Sequence, residues 1–153
     1  MRKLYDRLYT GRQADCFEGA ARWAVVHACR EPCFERAARR MRPADATSPI
    51  LEEGQNLYLN LIDSPDARLS PAPFETFLAF AFRHWQDGTG LLIHCNLGIS
   101  RAPSLALLFL AKRLNALPAS SYGEASAAFS ELMPGYSPSD PIRSFLREHW
   151  DRL

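Results

Sequence analysis

The stretch LLIHCNLGISRAPSLALLFLAKRL, residues 91–114, decides the fold. Its first five residues, 91–95, are apolar on both faces of an extended chain, which predicts a buried strand in a mostly parallel sheet covered by helices. Residues 102–114 carry apolar side chains at helical spacing, which predicts a central helix. The bend at 95–101 therefore joins a buried strand to a buried helix, and it holds a cysteine and an arginine.

The rest of the chain repeats this alternation of strand and helix. We predict further strands at 7–11, 23–29 and 56–62, helices at 15–21, 34–41, 74–85, 120–133 and 142–150, and long loops at 42–55 and 63–73. Strands alternate with helices first, and helices follow. This order predicts an α/β fold, with one domain over residues 1–153 and a four- or five-stranded, mostly parallel sheet flanked by helices.

Composition excludes some classes of function. The chain of 153 residues is 47% apolar and 23% charged, with a net charge of +1, so charge gives no specific signal for nucleic acid or a membrane surface. No secretory signal and no apolar stretch of membrane-spanning length is present. We therefore expect a cytoplasmic protein, a monomer, with free thiols at Cys16, Cys29, Cys33 and Cys95.

The bend at 95–101 suits the binding of an anion. It lies against a helix N-terminus, where unpaired N–H groups and the helix dipole favour negative charge. Gly98 lets successive N–H groups converge, and such a setting stabilises the thiolate of Cys95. Arg101 can fold its guanidinium over the same cavity and bind two phosphate oxygens. The bend therefore predicts attack of sulfur on phosphorus, followed by hydrolysis of a cysteinyl-phosphate.

The stretch HCNLGISR, residues 94–101, resembles the His-Cys-five-residues-Arg signature of cysteine-dependent protein tyrosine phosphatases. The form HCxxGxSR, followed by a helix with an early Ser, resembles the dual-specificity branch of that family. The resemblance implies a phosphatase-like fold, Cys95 as nucleophile, and no metal or organic cofactor. It implies that phosphate is bound by the side chain of Arg101 and by the backbone of Asn96, Leu97, Gly98, Ile99, Ser100 and Arg101. His94 would order the loop by hydrogen-bonding nearby backbone, and Ser104 would support the site.

The family also needs a general acid, usually an Asp on a loop one helix before the signature. Asp63 directly follows the predicted strand at 56–62, and Asp66 lies on the same loop. The family's order of strand, Asp, loop, helix, strand and Cys fits Asp63 better. We predict that Asp63 acts as acid and then as base, with Asp66 as the alternative.

One residue departs from the family pattern. The arginine is usually followed by Ser or Thr, whose hydroxyl steadies the thiolate as a leaving group, but here Ala102 follows Arg101. We therefore predict slow hydrolysis of an accumulating cysteinyl-phosphate, with Ser100 or Ser104 as partial substitutes.

The remaining cysteines allow two further interpretations. A metal site from Cys16, His27, Cys29 and Cys33 has poor zinc spacing and no second Cys pair, so we predict no metal. Cys29 ends a strand expected beside the one that ends in Cys95. This placement resembles that of the backdoor cysteine in some phosphatases of the phosphatase-and-tensin group, so Cys29 is a candidate redox partner of Cys95. Ordinary buried thiols are the slightly favoured alternative.

We predict a protein phosphatase that acts on phosphotyrosine, with phosphoserine and phosphothreonine as further candidates. Its partner would be a phosphorylated protein or another phosphoester. Alternative substrates are a phosphoinositide, an RNA 5′-phosphate or a small phosphoester, although the signature has no lysines for a highly charged inositol headgroup. Sulfur transfer and non-catalytic phosphate binding are two further alternatives.

Overall fold

Six strands and five helices make up the structure, a computed structural model that describes residues 1–153. The strands are β1 (Arg2–Tyr5), β2 (Leu8–Gly11), β3 (Trp23–His27), β4 (Ile50–Glu53), β5 (Asn56–Leu59) and β6 (Gly90–His94). The helices are α1 (Glu35–Met41), α2 (Pro71–Gln86), α3 (Arg101–Lys112), α4 (Tyr122–Leu132) and α5 (Asp140–His149). None of the helices combines the length and the hydropathy that a membrane span requires.

The strands form one sheet in the order β1-β2-β6-β3-β5-β4. The four inner strands are parallel, and the two edge strands pair antiparallel to their neighbours. The predicted α/β fold with a mostly parallel sheet is confirmed. The predicted strand count of four or five is corrected to six, because β1 and β4 were not predicted as strands. Gly54, at φ +60°, closes the β4–β5 hairpin inside the segment 42–55 that was predicted as a loop.

Side chains alternate between two faces of the sheet, as extended strands require. Val26 and Ile93 belong to the larger core, which α2 to α5 cover. Tyr58 belongs to a smaller core with α1 and the wide helical turn at Arg30–Phe34. His27 stacks on Tyr58 at a ring-centroid distance of 4.4 Å, which places it on this second face. The two faces of the sheet therefore differ. The face covered by α1, called here the α1 face, carries histidines and cysteines, and the face covered by α2 to α5 is apolar.

The central position predicted for α3 is confirmed. All its residues from Arg101 to Ala111 are buried. Phe109 packs edge-on against Phe77 of α2, with ring centroids 6.2 Å apart. Because α3 has no solvent-exposed face over these residues, its N-terminus is held firmly by the packing around it.

The helix predicted at 15–21 is wrong. The chain instead forms a single 3₁₀ turn at Gln13–Asp15 and then runs without helix to β3. The Asp15 carboxylate accepts a hydrogen bond from the backbone N–H of Arg12 at 3.0 Å. It therefore closes the turn before it, so it cannot cap a helix after it.

A pair of identical substitutions tests whether α3 is the centre of the core. Leu105 on α3 is 0% exposed, and Leu132 at the end of α4 is 38% exposed. Leu105→Ala should lower the free energy of unfolding by about 2–5 kcal/mol, because it removes buried methyl groups and leaves a cavity. Leu132→Ala should lower it by less than about 1 kcal/mol. Urea denaturation followed by tryptophan fluorescence measures both, and equal losses would contradict the central placement of α3.

Candidate active site

The site begins where three neighbouring strands end together. Gly11 of β2 and His27 of β3 both pair with His94 of β6, so the three strands stop at one level. The N–H of Cys95 donates to the carbonyl of Gly11 at 3.3 Å, and the N–H of Ala28 donates to the carbonyl of His94 at 2.9 Å. The loop from Cys95 to Arg101, called here the signature loop, therefore starts at the carboxyl edge of the parallel strands, where ligand sites of α/β sheets lie.

Gly98 bends the signature loop back over Cys95. The N–H of Gly98 donates to Cys95 Sγ at 3.3 Å, and the side chain of Cys95 is buried. Gly98 has a φ of +74°, and a Cβ at this position would lie 3.0 Å from the carbonyl oxygen of Gly11. A side chain here would meet both backbone strain and a clash, so the close turn around the sulfur depends on glycine.

Arg101 is the first residue of α3, and its side chain is almost completely buried. Nη1 donates to the carbonyl oxygen of Leu61 at 2.8 Å, and Nη2 donates to Asn96 Oδ1 at 2.6 Å. Asn96 Nδ2 in turn donates to the carbonyl oxygen of Glu31 at 2.8 Å. The guanidinium is therefore held at the cavity wall from two sides. The side chain of Asn96 supports the guanidinium, and the expectation that its backbone binds phosphate stays a prediction.

The two candidate acids lie in different positions. Asp63 lines the cavity, and its Oδ2 lies 3.4 Å from Arg101 Nε. Its other oxygen, Oδ1, is buried and has no hydrogen-bond partner. Asp66 is exposed and does not line the cavity. The geometry therefore brings Asp63, and not Asp66, together with Cys95 and Arg101.

The signature loop forms one side of a cavity of about 330 Å³. The opposite wall comes from the loop before α5, which is joined to the signature loop by two hydrogen bonds. Ser137 N–H donates to the carbonyl oxygen of Ile99 at 2.9 Å, and Ser139 N–H donates to Ser100 Oγ at 3.1 Å. The cavity is lined by Asp63, Cys95, Asn96, Leu97, Ile99, Ser100, Arg101, Ser137, Pro138 and Ser139.

The wall of Ser137, Pro138 and Ser139 was not predicted as part of the site. Its residues carry no catalytic chemistry that a sequence motif would mark. They follow Ser100 by about forty residues in the sequence and contact the signature loop only in the folded chain. From the sequence we expect the loops near 12–16, 63–73 and 134–140 to set the depth of the pocket, and this expectation assigns no role to any single residue of the last loop.

The serine expected to support the site has another partner. Ser104 Oγ lies 3.1 Å from the hydroxyl of Tyr136, which lies 3.2 Å from the hydroxyl of Tyr122. Burial raises the pKa of Tyr136, which therefore stays a neutral hydrogen-bonding group. Ser104 does not line the cavity, and the fully buried Ala102 offers only a methyl group. Ser104 thus ties α3 to the loop before α5.

His94 has a side-chain partner where a backbone partner was expected. Its Nε2 lies 2.8 Å from Nδ1 of His27, because the register of β3 and β6 places the two rings side by side on the α1 face. Its Nδ1 is buried without a partner. His94 therefore links the start of the signature loop to β3.

Cys29, the candidate redox partner of Cys95, packs in the smaller core with Cys33. Its thiol donates to Gln13 Oε1 at 3.7 Å, whereas Cys95 packs in the larger core. All four cysteines are free. Cys29 stays a candidate redox partner of Cys95, with ordinary buried thiols as the slightly favoured alternative.

Comparison with known proteins finds similarity to phosphatases. No family model matches the chain. Dual specificity protein phosphatase 22-B of Danio rerio is 30% identical over 104 residues, which are 68% of this chain and 54% of that protein. The chain thus spans about half the length of the curated relative that it matches.

Solved structures show the same fold. Human DUSP28 has a TM-score of 0.69 at 17% identity, covering 99% of this chain and 96% of that one. DUSP15 has a TM-score of 0.69 at 18% identity, covering 98% of this chain and 86% of that one. A mouse putative dual specificity phosphatase, crystallised with zinc tungstate, has a TM-score of 0.68 at 18% identity, covering 99% of this chain and 86% of that one.

The fold, the curated relative and the signature HCNLGISR agree with one another. The chain is similar to the dual-specificity branch of the cysteine-dependent protein tyrosine phosphatase superfamily.

Proposed function

We propose that this protein is a phosphomonoester hydrolase that removes phosphate from phosphotyrosine in proteins, and from phosphoserine or phosphothreonine, through a cysteinyl-phosphate. One observation carries the proposal. Cys95, Arg101 and Asp63 line the same cavity of about 330 Å³. A nucleophile, a phosphate-binding cation and an acid are the three groups that phosphoryl transfer through a covalent intermediate requires. Residues 1–153 would form the single catalytic domain.

In the first step the phosphate dianion enters the signature loop. The backbone N–H groups from Asn96 to Arg101 and the N-terminus of α3 offset its charge. Arg101 Nε is buried without a hydrogen-bond partner and lies 3.4 Å from Oδ2 of Asp63. A phosphate oxygen can take the place of Asp63 at this nitrogen. The ion pair of Asp63 and Arg101 then opens, and the aspartate is free to face the leaving oxygen.

The chemical steps follow from these positions. The sulfur of Cys95 attacks phosphorus, the ester P–O bond breaks, and Asp63 gives a proton to the leaving oxygen. Water then attacks phosphorus, the P–S bond breaks, and Asp63 takes the proton from water. Arg101 and the loop N–H groups stabilise the charge on the three equatorial oxygens in both steps. Ala102 gives the departing sulfur no hydroxyl, so the second step is the slower one.

The lining of the cavity favours a single phosphate group over a polyanion. Arg101 is its one cationic side chain, and Asp63 is its one acid. Exposed Leu97 and Ile99 lie on the rim, where they can contact an apolar ring. These features support a phosphorylated aromatic side chain more than an inositol phosphate, an RNA 5′-phosphate or a small phosphoester.

A substrate panel with matched cysteine variants tests the proposed activity. Wild-type protein should release phosphate from phosphotyrosine peptides faster than from phosphoinositides or 5′-phosphorylated RNA. Cys95→Ser should lose this turnover, because a serine hydroxyl is a far weaker nucleophile than a thiolate. Cys29→Ser makes the same exchange at another buried cysteine and should keep the activity in reducing buffer. Binding of phosphopeptide without any phosphate release by the wild type would favour the non-catalytic alternative.

A pair of aspartate variants tests the assigned acid. Asp63→Asn should lower kcat/KM for a phosphotyrosine peptide by about 10²–10⁴-fold, because kcat/KM reports the step that breaks the ester bond, in which the leaving oxygen then receives no proton. The loss should be much smaller for para-nitrophenyl phosphate, whose leaving group is stable as an anion. Asp66→Asn should leave both substrates nearly unchanged. A large loss in Asp66→Asn with none in Asp63→Asn would reverse the assignment.

A further inference from the structure

Four possible metal ligands converge on the α1 face of the sheet, next to the signature loop. They are Cys16, His27, Cys33 and His94, and one ligand atom from each lies within 4.8 Å of all the others. Three of these side chains are buried and Cys16 is half-buried. Two cysteine sulfurs and two histidine nitrogens form the donor set of a structural zinc site. The ligands come from four separate segments, so no local spacing in the sequence marks them.

The distances between these atoms fit a tetrahedron around one ion. Zinc bonds of about 2.3 Å to sulfur and about 2.0–2.1 Å to nitrogen give tetrahedral edges of about 3.8 Å between sulfurs and about 3.6 Å between sulfur and nitrogen. The sulfurs of Cys16 and Cys33 lie 3.8 Å apart, and Cys16 Sγ lies 3.6 Å from His27 Nδ1. The two histidine nitrogens, 2.8 Å apart, need to separate by about 0.5 Å.

Hydrogen bonds around His27 fix the tautomer that a metal ligand needs. Asn56 Oδ1 lies 3.2 Å from His27 Nε2. The amide of Asn56 is fixed in this orientation, because its Oδ1 accepts from Gly19 N–H at 2.6 Å and its Nδ2 donates to the carbonyl oxygen of Gly19 at 3.2 Å. His27 Nε2 must therefore carry the proton, and Nδ1 keeps the lone pair that points at Cys16 and His94. Such a second-layer hydrogen bond is typical of metal-binding histidines.

An entry path also leads to the cluster. A cavity of about 100 Å³ reaches Cys16, His27 and Cys33 from the surface. Two thiolates would balance the charge of a divalent ion, which compensates the cost of burying that charge.

We propose that Cys16, His27, Cys33 and His94 bind one Zn²⁺ ion as a closed, four-ligand structural site. This replaces the expectation, made from the sequence, that the protein has no metal site. Four protein ligands leave no open coordination position, so the ion takes no part in the phosphoryl transfer. Its role is to fix His94, and with it the start of the signature loop, to β3, to the segment that follows the 3₁₀ turn at Gln13–Asp15, and to the turn before α1.

The test uses the untagged full chain, purified without chelators, with zinc measured by mass spectrometry. The wild type should carry about one zinc per chain. Cys16→Ser and Cys33→Ser should carry less than about a tenth of that amount, because each removes one of the four ligands. Cys29→Ser and Cys95→Ser, matched exchanges at the two other cysteines, should keep the full amount. Cobalt in place of zinc should give the visible bands of tetrahedral thiolate coordination in the wild type.

A second measurement needs no variant and so does not depend on whether the variants fold. Alkylation of the wild type with and without added zinc, followed by peptide mapping, should show zinc protecting Cys16 and Cys33 and leaving Cys29 and Cys95 unchanged. Three results would each overturn the proposal. The wild type could bind no zinc after incubation with it, zinc could protect Cys95 alone, or Cys16 and Cys33 could form a disulfide. None of these readouts uses phosphatase turnover, so the zinc site and the proposed activity can fail separately.

Discussion

The turn at Gly98 is the constraint on which the rest of the site depends. Its N–H reaches the sulfur of Cys95 at 3.3 Å only because the residue adopts φ +74° and carries no Cβ against Gly11. The buried helix α3 holds the other end of the same loop in place through Arg101. Packing fixes both ends of the loop, and the loop between them lines the cavity. The proposed nucleophile, Cys95, and the proposed phosphate-binding cation, Arg101, therefore owe their positions to a single tight connection.

Candidate site residues that lie close together in the sequence could be predicted from it. His94, Cys95, Gly98 and Arg101 lie within eight residues, so their spacing indicated both the turn and the site, and the alternation of strand and helix predicted the α/β fold. The choice of Asp63 over Asp66 rested on chain order, and the geometry around Arg101 agrees with that choice. The helix expected at 15–21 failed because the carboxylate of Asp15 bonds backward, which no apolar pattern reveals.

Contacts between distant segments could not be predicted in this way. Arg101 is held by the backbone of Leu61, and Ser100 accepts from Ser139, so both contacts need the folded chain. The cluster of Cys16, His27, Cys33 and His94 is the clearest case, since the register of β3 and β6 pairs the two histidines. His94 and Cys95 are adjacent residues that point to opposite faces of the sheet. One peptide unit thus belongs both to the proposed phosphatase site and to the proposed zinc site.

The central claim is that the sulfur of Cys95 takes up the phosphoryl group. Rapid acid quench during turnover of a phosphotyrosine peptide, followed by peptide mapping, tests it most directly. Because Ala102 leaves the departing sulfur without a hydroxyl, we expect a burst of product and a phosphorylated peptide that contains Cys95. Turnover without a burst, with the phosphoryl group on another residue or on none, would contradict it.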